Sequence, residues 1–256
     1  MTDTPVLETK GLGRRFGGLH AVSDVSFSVP EGQVLGVIGP NGAGKSTFIN
    51  LLTGHIKPTS GEVLIGGKDM TGAKPWAIAH AGVARTFQIV KPFRGMTVRE
   101  NVAVGVLYGP DRVSLMSKAV KRADEVLAMV GLEALGDHSP AELTVADARR
   151  LEFAKALALD PRLLLLDEVM AGLRHHEIEP SLELIRQLAD RGLTIIVVEH
   201  VMKAILAISD QVLVMNQGQV LTSGEPRTVL SDPRVIEAYL GQRYAKRREA
   251  GGDSDA

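Results

Sequence analysis

One segment limits what this chain can fold into more than any other: Gly39-Pro40-Asn41-Gly42-Ala43-Gly44-Lys45-Ser46-Thr47. It matches G-x-x-x-x-G-K-[ST], and its flanks fit, with a strand-like apolar run at 34–38 and a helix-period stretch at 45–52. Glycines let successive backbone N–H groups curl round a phosphate where side chains would collide. The following helix N-terminus adds partial positive charge. Lys45 can then reach the terminal phosphate oxygens, and the Ser46 hydroxyl can ligate Mg²⁺. Gly39, Asn41, Gly42, Ala43, Gly44, Lys45, Ser46 and Thr47 are therefore the candidate phosphate-binding residues. A glycine-rich turn with a chance lysine is the bland alternative, and it explains neither the fixed positions nor both flanks.

Such a loop needs an acid for its metal at the end of a neighbouring strand. Leu163-Leu164-Leu165-Leu166-Asp167-Glu168 supplies one. Asp167 would hold Mg²⁺ through a water, and Glu168 would polarise the attacking water as general base. His200 follows a third apolar run, 194–198. In an open parallel sheet, ligands sit beyond the carboxyl ends of the strands, so one edge would gather all three groups. A histidine there can hydrogen-bond a phosphate oxygen.

The stretch from Lys45 to Asp167 is far longer than a minimal phosphate-loop fold needs. Residues 97–157 show almost no strand signal. Thr97 and Glu100 form a capping-box pattern, 114–130 continue in helical period, and Gly131 is a plausible stop. The expectation is a helical subdomain, about 95–157, inserted into an α/β domain spanning 5–241, with a basic tail at 242–256. A GTPase would need an Asn-Lys-x-Asp base reader, which is lacking. Asp69-Met70-Thr71-Gly72 matches D-x-x-G, a pattern short enough to arise by chance.

Fully apolar runs at 34–38, 163–166, 194–198 and 212–215 fit strands covered on both faces, as in a mostly parallel core sheet. Alternation in Val25-Ser26-Phe27-Ser28-Val29 and Glu62-Val63-Leu64-Ile65 suggests a small antiparallel β layer. Composition narrows the function classes. A formal net charge of −1 gives no global pull towards nucleic acid, and 4% aromatics argue against a base-stacking platform. With no cysteine, thiolate zinc sites, iron–sulfur clusters and a cysteine nucleophile drop out. No apolar run approaches the roughly 18–20 residues of a membrane span, and the start lacks signal-peptide features. A soluble, intracellular, globular chain is expected.

Taken together, these residues resemble an ABC-transporter ATPase subunit, over residues 5 to about 241. Phe16 resembles the aromatic that stacks on adenine. Gln88 resembles the glutamine that touches the magnesium and the attacking water and links to the helical subdomain, and His200 resembles the switch histidine. Arg85-Thr86-Phe87-Gln88, Phe93-Arg94-Gly95-Met96-Thr97-Val98, Arg149-Arg150-Leu151-Glu152, Ala171-Gly172-Leu173 and Ala238-Tyr239-Leu240-Gly241 are similar to the ATPases of branched-chain amino acid importers. The resemblance implies ATP and Mg²⁺ as ligands, and a second ATPase subunit, identical or related, as partner. It also implies membrane permease subunits, indirectly a solute-binding protein, and a cytoplasmic, peripheral place on the inner face of the plasma membrane. No nucleic acid partner is implied.

Some positions depart from the family pattern. The signature, usually Leu-Ser-Gly-Gly-Gln, is Leu143-Thr144-Val145-Ala146-Asp147 here. In the family this segment caps a helix whose amides hold the phosphate bound to the opposite subunit. Thr144 keeps the hydroxyl, Ala146 puts a methyl where glycine allows close approach, and Asp147 replaces glutamine. Val169 follows Glu168 where proline is usual, and Arg174 stands at the usual Asp or Asn. Two readings stay open: a slower but working composite site, or a dimer in which one site is weak. A nucleotide-dependent assembly module with no membrane partner is the alternative function.

Smaller features carry bland expectations. His175-His176-Glu177 reads as a solvated helix start and Trp76 as a packing residue. Ile89-Val90-Lys91-Pro92-Phe93 reads as core filler by residue type, although in the family this region contributes to the groove for the permease's coupling helix.

Overall fold

Burial sorts the strands into two kinds. The computed structural model describes residues 4–87, 90–109 and 115–240. In chain order the strands are β1 (Leu7–Phe16), β2 (Leu19–Val29), β3 (Val34–Ile38), β4 (Ser60–Ile65), β5 (Lys68–Asp69), β6 (Val83–Arg85), β7 (Leu163–Asp167), β8 (Thr194–Val198), β9 (Gln211–Asn216) and β10 (Gln219–Gly224). The helices are α1 (Lys45–Leu52), α2 (Pro75–His80), α3 (Val98–Tyr108), α4 (Met116–Met129), α5 (Val145–Leu157), α6 (His175–Asp190), α7 (Met202–Ile208), α8 (Pro226–Leu230) and α9 (Pro233–Leu240). β3, β7 and β8 are buried at every position. They lie inside a six-stranded sheet of order β10-β9-β3-β8-β7-β6, parallel except for the β9–β10 pair. β1 and β2 alternate between buried and exposed, and they form the smaller antiparallel sheet β2-β1-β4-β5.

The pleat explains why an unbroken leucine run suits β7. Leu164 and Leu166 point to one face of the six-stranded sheet, into a cluster with Val102, Leu127, Leu151 and Ile185 from α3 to α6. Leu163 and Leu165 point to the other, against Phe48 and Ile49 of α1 and Leu7 and Val25 of the antiparallel sheet. Each fully buried leucine contributes about 1.5–3 kcal/mol, so the strand is anchored from both sides.

Between residues 95 and 157 the described residues contain helix and 3₁₀ turn but no strand. Thr97 opens α3 with a complete capping box: its Oγ1 accepts from Glu100 N–H at 3.2 Å, and Glu100 accepts from Thr97 N–H at 2.8 Å. After α4 the chain turns at Gly131, whose φ of 70° favours glycine. Buried Asn101 accepts from Phe93 N–H at 2.7 Å and donates to Phe93, Met96 and Thr97 carbonyls. Buried Glu152 of α5 accepts from Lys91 N–H at 3.2 Å, while Lys155 donates to Lys91 C=O at 3.0 Å. Side chains of α3 and α5 thus hold the backbone of 91–93 from two sides.

Two packing expectations are corrected. Trp76 does start a helix, but it is 69% exposed. α2 is short and turns Ile78 inward, which points a residue two positions earlier away from the core. Phe93 is no core filler either: it is half exposed, its ring 5.5 Å from the Lys155 ammonium. Ile89 lies outside the described residues, as does the tail beyond 240.

Candidate active site

β3, β8 and β7 are neighbours in the parallel sheet, so their carboxyl ends share one edge. β3 runs into Gly39, β8 into Glu199 and His200, and β7 ends on Asp167 with Glu168 next. That edge opens into a cleft of about 600 Å³ lined by residues 41–47, Glu168, Gln217, Gly218 and residues 19–21 of β2.

The loop out of β3 tolerates little change. A Cβ on Gly39 would lie 2.2 Å from the Met215 carbonyl oxygen, and one on Gly44 would lie 2.4 Å from that of Ala21. Gly44 also has φ 98° as it leads into α1, a helix with neither a side-chain cap nor an acid in its first turn. Its first N–H groups are therefore open to an anion. Lys45 Nζ donates to Gly39 C=O at 2.6 Å and Pro40 C=O at 3.1 Å, folding its cation over the loop. Burial pulls its ammonium below the ordinary value, while the charges of Glu168 and Asp167 push back.

Glu168 sits in the left-handed region at φ 50°, rare for a residue with a side chain. Its N–H donates to Val198 C=O at 2.9 Å, which pins the turn to β8 and aims the carboxylate into the cleft. Asp167 is buried, and its Oδ2 accepts from Arg85 Nη2 at 2.7 Å. No described residue donates to its Oδ1. Among the described residues no group of three His, Cys, Asp or Glu gathers as a metal nest. The donors on offer are instead the exposed Ser46 hydroxyl at the start of α1 and the single Asp167 carboxylate. Hard oxygens with room for phosphate ligands fit Mg²⁺.

His200 is exposed just past β8, its Nδ1 4.0 Å from Glu199 Oε2. It does not line the cleft in this conformation. Phe16 does not line it either: it ends β1 with the Arg14 guanidinium 4.5 Å over its ring, and the hairpin register places Leu19 and His20 at the cleft instead. Thr144 caps α5, accepting from Asp147 N–H at 3.1 Å. Ala146 lines a separate 210 Å³ cavity beside α6, so the signature residues do not meet this chain's own phosphate loop. Gln88 lies outside the described residues.

The sequence gives no role to Glu199 or Asn50 at this edge, and Arg85 only a place in a motif. Glu199, beside His200, is fully buried; its Oε1 accepts from Met170 N–H at 2.9 Å and its Oε2 has no hydrogen bond. Burial pushes this carboxyl above the usual range, against the pull of the Met170 N–H and the His200 charge. Arg85 reaches Asn50 of α1 as well as Asp167. A carboxylate ending a β-branched run, and an arginine ending a three-residue strand, carry no spacing signal.

Comparison with known proteins meets this geometry from another side. The "ABC transporter" family model matches residues 22–171, and the "Branched-chain amino acid ATP-binding cassette transporter" model matches 219–245. This chain belongs to the ABC transporter ATPase family. The cassette is 41% identical to the high-affinity branched-chain amino acid transport ATP-binding protein LivG of Salmonella typhimurium, over 93% of this chain and 98% of that one. It is 39% identical to BraF of Pseudomonas aeruginosa, another protein of that description, over the same shares. Among solved structures, a nucleotide-free ATP-binding cassette from an ABC transporter superposes with TM-score 0.85 at 32% identity, covering 93% of this chain and all of that one. A dimeric bacterial ABC transporter cassette superposes with TM-score 0.77 at 26% identity, covering 86% and 99%. The cassette binds ATP and hydrolyses it to drive transport, and subunits of this kind dimerise and work with membrane permeases. Among the described residues no helix is long and apolar enough to cross a membrane.

Proposed function

We propose that this cassette powers an importer of branched-chain or related hydrophobic amino acids. It would act as one of two ATPase subunits on membrane permeases fed by a solute-binding protein, at the cytoplasmic, inner face of the plasma membrane. One observation carries the solute class: the match of residues 219–245 to the branched-chain model, seconded by relatives named for that transport. For the chemistry, support comes from the shared edge where the phosphate loop, Asp167–Glu168 turn and His200 segment converge.

Each residue's role follows from what it offers there. Residues 39 and 41–44 supply backbone N–H groups to the phosphates, Lys45 a cation to the terminal ones, and Thr47 a hydroxyl at the first turn of α1. Phe16, at the exposed hairpin end, would swing onto the adenine. Ser46 and Asp167 would hold Mg²⁺, with Gln88 reaching it from the following loop. When bound, the ion neutralises charge that develops on the transferring phosphoryl group. Glu168 takes the proton of the attacking water, and its left-handed backbone keeps the carboxylate aimed into the cleft. His200, exposed beyond β8, is free to close on a phosphate oxygen when a partner subunit arrives. Thr144 and Ala146 serve the partner's nucleotide, consistent with their distance from this chain's own cleft.

The test separates chemistry from cargo. Glu168→Gln should bind ATP, turn it over barely, and accumulate as a closed dimer with its partner on gel filtration. Normal hydrolysis by that variant refutes the general-base role. Reconstituted in liposomes with the permease and solute-binding proteins of a branched-chain amino acid importer, the ATPase should respond to leucine, isoleucine or valine. A response to none of them sinks the solute class.

A further inference from the structure

Arg85 is the last residue of β6, the edge strand that leads towards position 88. Its guanidinium is almost buried, at 11% side-chain exposure, and so is the Asp167 carboxylate it meets. Nη2 donates to Asp167 Oδ2 at 2.7 Å. Nη1 donates to Asn50 Oδ1 at 2.7 Å and, more weakly, to Thr53 Oγ1 at 3.4 Å. Asn50 lies on α1, the helix that begins with Lys45 and Ser46. The same guanidinium lies 5.2 Å from the Phe87 ring, which His55 meets edge-on at 5.8 Å, and His55 Nδ1 is 3.0 Å from Thr53 Oγ1.

One planar fork therefore touches the helix behind the phosphate loop, the acid at the end of β7, and the residue before Gln88. Only arginine has donors enough, in fixed directions, to hold a carboxylate and an amide oxygen together. Its Nε–H is buried without an acceptor. Holding Oδ2 leaves Oδ1 as the carboxylate oxygen without a described donor, the one that could serve a metal.

We propose that Arg85 is a positioning residue: by clamping Asp167 Oδ2 to Asn50 of α1, it sets the Asp167 carboxylate and the Ser46 helix in the one relative placement that holds the metal. This rests on the reading of Asp167 as the magnesium carboxylate. The role is indirect, because Arg85 reaches the ion only through Asp167. Partners one bond behind a metal ligand typically set metal affinity by about 10- to 100-fold.

The experiment measures Mn²⁺ binding to the protein–ATP complex of the full chain, by loss of the free Mn²⁺ electron-paramagnetic signal, alongside ATP affinity without metal. Arg85→Met should weaken Mn²⁺ by about 10-fold or more, well beyond any change in metal-free ATP binding. Arg85→Lys keeps a cation at the pair, which spares the fold, yet one ammonium cannot also hold Asn50 in the same plane. It should still bind Mn²⁺ more weakly than wild type. Asp167→Asn is the reference for the underlying assignment. If it binds Mn²⁺ like wild type, Asp167 is not the metal carboxylate. If it loses Mn²⁺ while both Arg85 variants keep wild-type affinity, Arg85 positions nothing and the proposal is overturned.

Discussion

Glu199→Gln should make the protein more stable. The carboxylate is buried, with one oxygen on the Met170 N–H and the other without a hydrogen bond. Glutamine keeps the first bond and removes the charge. A buried polar group without a partner costs about 1–3 kcal/mol, more when charged. The glutamine NH₂ inherits the unpaired place but not the charge, so the variant should gain only the charged excess, about 1 kcal/mol, where Glu199 is ionised. For a chain of this size each kcal/mol moves Tm by about 2–4 °C. Burial raises the folded pKa of Glu199 above its unfolded value of 4.5. Wild-type stability from this group is therefore full below 4.5 and falls as pH rises through the folded pKa. Glutamine does not titrate, so the Tm difference should be near zero in acid, grow with pH, and level off above the folded pKa. The Glu168 charge pushes the same way, so the difference should shrink when Glu168 is also glutamine. Thermal melts of both pairs across pH measure this. A variant that is less stable than wild type at about pH 8, or a difference that ignores pH, refutes the reasoning.

Two further outcomes are expected. Asn101→Leu strips the Phe93 N–H of its acceptor and leaves the Phe93 C=O only the Met96 N–H. It should cost about 1–3 kcal/mol and speed amide exchange at 91–96, whereas exchange confined to α3 would count against a clamp on that loop. Ala146→Gly removes the methyl from the first turn of α5 and should raise the ATPase rate of the dimer; an unchanged rate shows that the methyl does not obstruct the partner's nucleotide.

Much of the fold was legible because its signals are local. The loop at 39–47 carries its own conformational demands, and the unbroken run at 163–166, bounded by charged residues, fits a strand covered on both faces. Alternation near residues 25–29 and 62–65 marked the second sheet, and the Thr97 and Glu100 spacing marked α3. Exposure was harder. Trp76 and Phe93 are large and apolar, and residue type alone assigns them to a core, yet a short helix and a side-chain-held loop leave both facing outward. Phe16 reads as an adenine platform by resemblance, and it stands exposed at the hairpin end, with Leu19 and His20 of the same hairpin at the cleft.

The local chemistry of this protein was written along the chain: a backbone nest needs glycines in a row, and a strand end needs adjacent carboxylates. Which distant groups share a side chain was decided by the order of the sheet. Arg85, Asn50 and Asp167 come from three elements with no common spacing, and they meet because β6 borders β7 and α1 lies beneath them. Glu199 is buried where the turn after β7 closes over the end of β8, its Oε1 on the Met170 N–H. Burial and pairing depend on what covers a residue from elsewhere in the chain, and no neighbour in sequence records that.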